Sequence, residues 1–288
     1  MRERNRVLLA FAGVAALCLI SAASAMAARV VGDGGSNTLT GTDQRDRIVA
    51  KAGDDTIDAL GGADLVLAGA GHDHAQGGPG FDLLVGNAGD DVLDGGAGCD
   101  HIFAGPGNDT VDGGPGWSWW WTRPRAWRRN EAPRHAFAWS RVCERLHGGA
   151  GNDTVNGGPG REFISGGRDD DVLNGGGGAD KLFANQGRDR EDGGAGDDVL
   201  WALSRKDVAS IGDADGDELS GGPGNDRFRV RDGEVDLVHC GDGRDTVLAD
   251  QFDQVDNDCE RVLRRDITSL DQVDDNEENS TENPSEDQ

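Results

Sequence analysis

The chain has 288 residues, with 47 glycines, no tyrosine, two methionines and a formal net charge of -26. Glycine and carboxylate in such excess do not build an ordinary apolar core; they leave either a disordered polyanion or a fold whose carboxylates are neutralised by a bound cation. Nucleic acid is excluded as a partner on the same ground, because a phosphate backbone would be repelled by nearly the whole molecule.

The amino terminus carries Arg2, Arg4 and Arg6, an apolar run from Val7 to Ile20, and small residues ending in Ala25-Met26-Ala27. This is the pattern of a secretory signal peptide, residues 1–27, cleaved after Ala27. The run is shorter than the ~20 residues of a spanning helix, so no stable membrane insertion of the mature chain is expected. Cys18 follows Leu17, where a lipoprotein signal would carry a small residue. Removing the segment leaves Cys99, Cys143, Cys240 and Cys259, enough for two disulfides in an exported protein.

Residues 28–116 repeat with a period of nine. Asn37, Asp46, Asp55, Asp64, Asp73, Asp82, Asp91, Asp100 and Asp109 hold one slot without a slip. Two residues after each lies Leu39, Ile48, Ile57, Val66, Ala75, Leu84, Leu93, Ile102 or Val111, and two residues before each lies glycine, except at Gln44. A second block, 148–229, continues with Asp153, Glu162, Asp171, Asp180, Asp189, Asp198 and Asp207, then slips by one residue to Asp217 and Asp226, and again to Asp236 and Asp245. Segments such as Gly105-Pro106-Gly107-Asn108-Asp109-Thr110-Val111-Asp112 match G-G-x-G-x-D-x-U-x, where U is a large apolar residue. Over most of residues 32 to 260 the chain therefore resembles the RTX, or haemolysin-type, calcium-binding nonapeptide repeat family.

Each repeat divides into a glycine-permitted turn of about six residues and a strand of about three, whose alternation points U inward. One inward side chain per repeat is a thin core. Burying it contributes about 1.5–3 kcal/mol, against a backbone ordering cost of about 1–2 kcal/mol per residue. Ca²⁺, which takes about 6–8 oxygens from carboxylates and carbonyls, supplies the missing term.

The resemblance implies an all-β fold, a parallel β-roll (β-solenoid) with two repeats per coil, stabilised by multiple calcium ions between successive turns. Ligands then lie two repeats apart. Asp55, Asp73, Asp91 and Asp109 line one edge, Asp46, Asp64, Asp82 and Asp100 the other, and Asp153, Asp171, Asp180, Asp189, Asp198, Asp217 and Asp226 extend the metal-ligand set. Several repeats depart from the pattern: Gln44 and Asp169 replace a turn glycine, Glu162 a ligand, Glu191 an apolar residue, and Ala75 is small for its layer.

Residues 117–147 differ in character, with six of the seven Trp, seven Arg and no Asp from Trp117 to Arg145. A basic-aromatic patch for glycan, nucleic acid or membrane is one reading, but Asp109 and Asp153 stand one residue short of five repeats apart, which puts two others ahead of it. One is an inserted loop, which would allow a Cys99–Cys143 disulfide; the other is repeats translated out of frame, because GGN-rich codons yield TGG, the Trp codon, in another frame. In residues 230–263, Cys240 and Cys259 are separated by nearly one two-repeat coil, and strands about 4.8 Å apart suit the Cα separation of about 4.4–6.8 Å that a disulfide tolerates. Residues 264–288, with Asp274-Asp275-Asn276-Glu277-Glu278, read as a disordered acidic tail.

No H-E-x-x-H or G-x-S-x-G motif occurs, and His72, His74, His101, His135, His147 and His239 are scattered. The expectation is a secreted, extracellular, non-enzymatic calcium-binding protein that folds on binding Ca²⁺, exported by its amino-terminal signal rather than the carboxyl-terminal signal many family members use. Two alternatives stay open: a cell-surface adhesion or matrix protein using the roll as a spacer, and an accessory module derived from a secreted enzyme of the family. The sequence specifies no protein or glycan partner.

Overall fold

A computed structural model of the chain describes residues 27–115, 144–202 and 216–267. The expected signal peptide, nearly all of the Trp/Arg-rich segment and the acidic tail beyond Ile267 lie outside the described residues.

The x-U-x triplets form strands, and successive strands alternate between two sheets. One 12-stranded sheet runs through Arg29–Val31, Arg47–Ala52, Leu65–Ala70, Leu83–Ala88 and His101–Pro106 and ends at Arg261–Arg264. The other runs through Thr38–Thr42, Thr56–Leu60, His74–Gln76, Val92–Asp94 and Thr110–Asp112 and ends at Gln254–Val255. Each strand pairs in parallel with the strand two repeats away, so Val66 stands between Ile48 and Leu84, and Leu93 between Ala75 and Val111. The fold is thus an all-β parallel β-solenoid, with two repeats making each coil.

Both sheets continue across the Trp/Arg-rich segment. Ile102 aligns with Leu146, and Val111 with Val155. The solenoid resumes with the strand Glu144–Ala150, ahead of the expected restart at Gly148. A second departure follows Asp189. Its rung continues with Glu191 aligned to Leu219, so the next aspartate in that column is Asp217 and not Asp207, which lies outside the described residues.

The inward side chains form one stack in which Ile48, Ile57, Val66, Leu84, Leu93, Ile102, Leu146, Val155, Ile164, Leu173 and Leu182 are fully buried. Ala75 keeps its place between Ile57 and Leu93. The expectation of one inward residue per repeat needs correction. Alternation carries on past U, and Ala50, Ala59, Ala68, Ala104 and Ala184 are also completely buried in a second inward row. The neighbouring rung keeps most of that row to small residues, since a Cβ added at Gly77 would lie 2.7 Å from the carbonyl oxygen of Gly95; near the carboxyl-terminal end it takes Val230 and Cys240. The next position turns the chain. It takes a left-handed conformation, as at Gly105 with φ of 116°, and where glycine is missing Lys51, Leu60, Asn87 and Asn185 adopt it instead. Asp169, the other glycine replacement, also takes φ of 72°.

On the outer face of the first sheet, the ring centroids of Phe103 and His147 lie 4.9 Å apart, those of Phe163 and Phe183 4.7 Å, and those of Phe183 and Trp201 4.4 Å. Rung spacing places the register partners Phe103 and His147, and Phe183 and Trp201, at stacking distance, while Phe163 meets Phe183 diagonally and tilted. The carboxyl-terminal end is tied by a Cys240–Cys259 disulfide with a Cα separation of 5.3 Å. Cys99 is disulfide-bonded as well; Cys143, the partner expected for it, lies outside the described residues. Order extends slightly into the expected tail, because Ile267 is buried and exchanges two backbone bonds with the Gln251 side chain, at 2.7 and 2.6 Å.

Candidate metal centre

The aspartate slot follows the glycine turn and precedes the strand, so every copy falls at the same height on a rung edge. The two edges separate the repeats as the period requires. Asp46, Asp64, Asp82 and Asp100 stand before strands of the first sheet, followed by Asp180, Asp198 and Asp226. Asp55, Asp73, Asp91 and Asp109 stand before strands of the second, followed by Asp153, Asp171, Asp189 and Asp217. None of these fifteen residues is more than 3 % exposed, which sets them apart from ordinary surface aspartates.

Their carboxylates are linked along each column. The Asp55 N–H donates to Asp73 Oδ1 at 2.8 Å, Asp73 to Asp91 at 2.8 Å, Asp91 to Asp109 at 2.7 Å, and Asp109 to Asp153 at 2.7 Å across the Trp/Arg-rich segment. The other column repeats this from Asp46 to Asp64 to Asp82 to Asp100, at 2.6, 2.7 and 2.8 Å. One oxygen of each carboxylate is therefore used by the backbone. The second is not: Oδ2 of Asp55, Asp64, Asp73, Asp82, Asp91, Asp100, Asp109, Asp153, Asp171, Asp180, Asp198 and Asp226 is buried without a hydrogen-bond partner.

Where the preceding turn begins with glycine, these oxygens border a space that a side chain would fill. The position a Cβ would take at Gly95 is 2.9 Å from both Asp100 Oδ2 and the Gly113 carbonyl oxygen, and at Gly193 it is 2.9 Å from Asp198 Oδ2 and 3.0 Å from the Gly221 carbonyl oxygen. Carboxylate and carbonyl oxygens converge there from neighbouring rungs. An all-oxygen donor set of flexible, carbonyl-rich turns fits a hard divalent cation of the size of Ca²⁺.

The electrostatics point the same way. Burial first, with nearby aspartates adding like charge, pushes the carboxyls of Asp91, Asp100, Asp153 and Asp198 up to about 7 and that of Asp171 up to about 9, although the N–H each accepts works against the rise. Asp82, Asp109 and Asp226 rise to about 6 for the same first cause. A buried column of like charge is costly unless a cation compensates it.

Not every expected ligand has this character. Asp46 has both oxygens occupied: the Ala28 N–H donates to Oδ1, the Thr42 N–H donates to Oδ2 at 2.5 Å, and the Thr42 hydroxyl reaches Oδ2 at 2.9 Å and Oδ1 at 3.1 Å. Threonine there replaces the turn glycine and satisfies the acid itself. Asp217 accepts the Asp189 N–H at 2.7 Å, and its second oxygen is not among the buried unpartnered ones. Glu162 occupies its slot, and burial, then Asp180 beside it, raises its carboxyl to about 10.

The structure adds a column member that sequence reasoning placed inside the insert. Glu144 is fully buried between Asp100 and Glu162, with both carboxylate oxygens unpartnered and its carboxyl raised by burial to about 9. The signal was available in Leu146, two residues on, which occupies the apolar slot. Glu191 is buried between Leu173 and Leu219 with neither oxygen bonded, and burial drives its carboxyl well above the usual range. A second, exposed ladder runs one residue before the aspartates: His72 N–H donates to Asp54 Oδ1, Asp90 N–H to His72 Nδ1, Asn108 N–H to Asp90 Oδ1 and Asn152 N–H to Asn108 Oδ1, each at 2.9 Å.

The description of the RTX calcium-binding nonapeptide repeat (4 copies) matches residues 31–66, 67–100, 95–116, 144–173, 156–191 and 192–204. A search of curated proteins returned no match.

Proposed function

Because the chain belongs to the RTX calcium-binding nonapeptide repeat family, we propose that it is a secreted, non-enzymatic calcium-binding protein whose roll folds when Ca²⁺ enters its two aspartate columns. The observation that carries this reading is the row of buried Oδ2 atoms without hydrogen-bond partners, repeated rung after rung. Bound Ca²⁺ supplies positive charge to these oxygens. The chain's own part is to hold the carboxylates in register through the N–H to Oδ1 links, to keep water away by burial, and to offer turn carbonyls by placing glycine where a Cβ would intrude. Since such columns do not pre-exist in an unfolded chain, binding energy becomes folding energy. Extracellular modules of this kind bind with dissociation constants on the order of 10⁻⁴–10⁻³ M.

Export is supported by the arginine-led apolar run before Ala27 and by the Cys240–Cys259 disulfide, which is at home in an oxidising compartment. A role without catalysis is supported by the even distribution of the acids along two edges, where an enzyme would gather them around a cleft. Circular dichroism of the purified chain in chelator and in millimolar Ca²⁺ tests the reading. A β-sheet signal that appears only with Ca²⁺ is expected; identical spectra would overturn it.

A further inference from the structure

Beyond the residues matched by the repeat family, the turn Asp232-Gly233-Glu234-Val235-Asp236 departs from the glycine pattern in one direction. Asp232 and Glu234 stand four and two residues before Asp236, where the preceding repeat has Gly222 and Gly224 before Asp226. The left-handed residue moves to Gly233, with φ of 100°, and no atom lies within 4 Å of where its Cβ would be. The shift turns two backbone positions into carboxylates without closing the turn.

The three acids converge. One oxygen from each of Asp232, Glu234 and Asp236 lies within 4.8 Å of the other two, and the residues are 0, 4 and 0 % exposed. Neighbouring acids have a different task. Asp250 accepts the Phe252 N–H at 2.7 Å and the Gly233 N–H at 3.0 Å, and Asp253 accepts the Asp250 N–H at 2.6 Å and the Asp236 N–H at 3.4 Å, so both are held by backbone donors on each oxygen. Asp236 is not: its Oδ1 takes the Asp217 N–H at 2.8 Å, while its Oδ2 is buried with no hydrogen bond at all. Burial is the main strain on this carboxyl, and Asp232, Asp217 and Asp253 each add to it.

We propose that Asp232, Glu234 and Asp236 form a divalent-cation site for Ca²⁺ of their own kind, built from three side-chain carboxylates of one turn at the place where Asp236 continues the second column beyond Asp217. Hard oxygen donors with neither nitrogen nor sulfur select Ca²⁺ over transition metals. Three carboxylates from a single turn bring more negative charge than a glycine turn with one aspartate, and affinity in oxygen sites rises with ligand charge and rigidity. The nearby Cys240–Cys259 disulfide supplies rigidity by tying the following rung. The site therefore fills before the repeats do. This inference does not depend on Ca²⁺ occupying the repeat columns.

Calorimetric titration of the full chain with Ca²⁺ alone tests it, comparing wild type, Asp232→Asn with Glu234→Gln, and an equal charge loss at the exposed pair Asp242→Asn with Asp266→Asn. Expected is a tight first step in wild type, lost in the first variant and kept in the second, with the weaker repeat phase unchanged in all three. The first variant keeping that step at the same stoichiometry would overturn the proposal. Should the double variant fail to reach the wild-type circular dichroism spectrum at saturating Ca²⁺, Glu234→Gln alone carries the comparison. Failure of the repeat reading has another signature: the weak phase is absent from every sample while the tight step still separates the variants.

Discussion

Between Asp64 and Asp109 each rung is 18 residues long and each buried aspartate keeps one oxygen without a hydrogen bond, whereas between Asp217 and Glu260 the successive links of the two columns span 19, 19, 17 and 15 residues and Asp250 and Asp253 have both oxygens bonded to N–H groups. The same two sheets run through both regions. In the first, identical turns leave identical needs, and only something that repeats at rung spacing can meet them. In the second, each turn is individual, and much of its charge is absorbed by local donors, with a disulfide in addition. The identical rungs thus leave a charge that must be met along a whole column, whereas the carboxyl-terminal rungs meet part of theirs with local donors and a disulfide and gather the remainder at Asp232, Glu234 and Asp236.

The largest expected effect comes from pH. Asp82 and Asp109 sit near 6 and Asp91 and Asp100 near 7 in the folded roll, raised chiefly by burial, while an unfolded aspartate titrates near ~3.9. Folded carboxyls raised in this way bind more protons than unfolded ones, so their penalty is fully present above about 7 and is relieved as pH falls through that value toward about 4. In chelator, the β-sheet signal should therefore grow on acidification from neutral pH to pH near 4.5. In saturating Ca²⁺ it should not. A chelated chain that unfolds further on mild acidification would contradict the buried columns.

Next in size is the disulfide. Reduction, or Cys240→Ser with Cys259→Ser, should cost about 2–5 kcal/mol, confined to residues 216–267. Hydrogen exchange would locate it; a loss spread equally over Asp64 to Asp109 would erase the distinction between the regions. Smaller again is Gly95→Ala, whose Cβ meets Asp100 Oδ2 and the Gly113 carbonyl oxygen at 2.9 Å. Overpacking at this site should cost roughly 1–3 kcal/mol and move the midpoint of Ca²⁺-dependent folding to higher Ca²⁺. The smallest effect belongs to His72→Ala. It removes one exposed acceptor from the outer ladder, worth about 0.5–1.5 kcal/mol at most, and thermal melts in Ca²⁺ should show little change.

The period made the two columns and the core stack legible, because a parallel solenoid converts sequence spacing directly into position. It failed at the two lengthened rungs, Asp109 to Asp153 and Asp189 to Asp217. Glu144 was hidden because the Trp/Arg-rich composition extends right up to the strand it precedes, and Asp207 was counted because its spacing is correct although its rung is completed by Asp217. The second inward row was missed for another reason: up to Ala202 its members are alanine or glycine, which carry little hydrophobic signal, and only beyond do Val230 and Cys240 join it. That Asp46 is satisfied by Thr42 depends on one hydroxyl, which periodicity does not register.

The N–H of Asp109 reaches Asp153 Oδ1 at 2.7 Å, as closely as it would reach a neighbour one ordinary coil away, although the two are 44 residues apart. The roll keeps count of rungs and not of residues. Any turn on either edge is a place where chain can be added at the modest, logarithmic cost of closing a longer loop, so the protein is also a ruler along which inserted segments are presented at fixed heights. Two rungs are already longer in this way, the 44 residues from Asp109 to Asp153 and the 28 from Asp189 to Asp217.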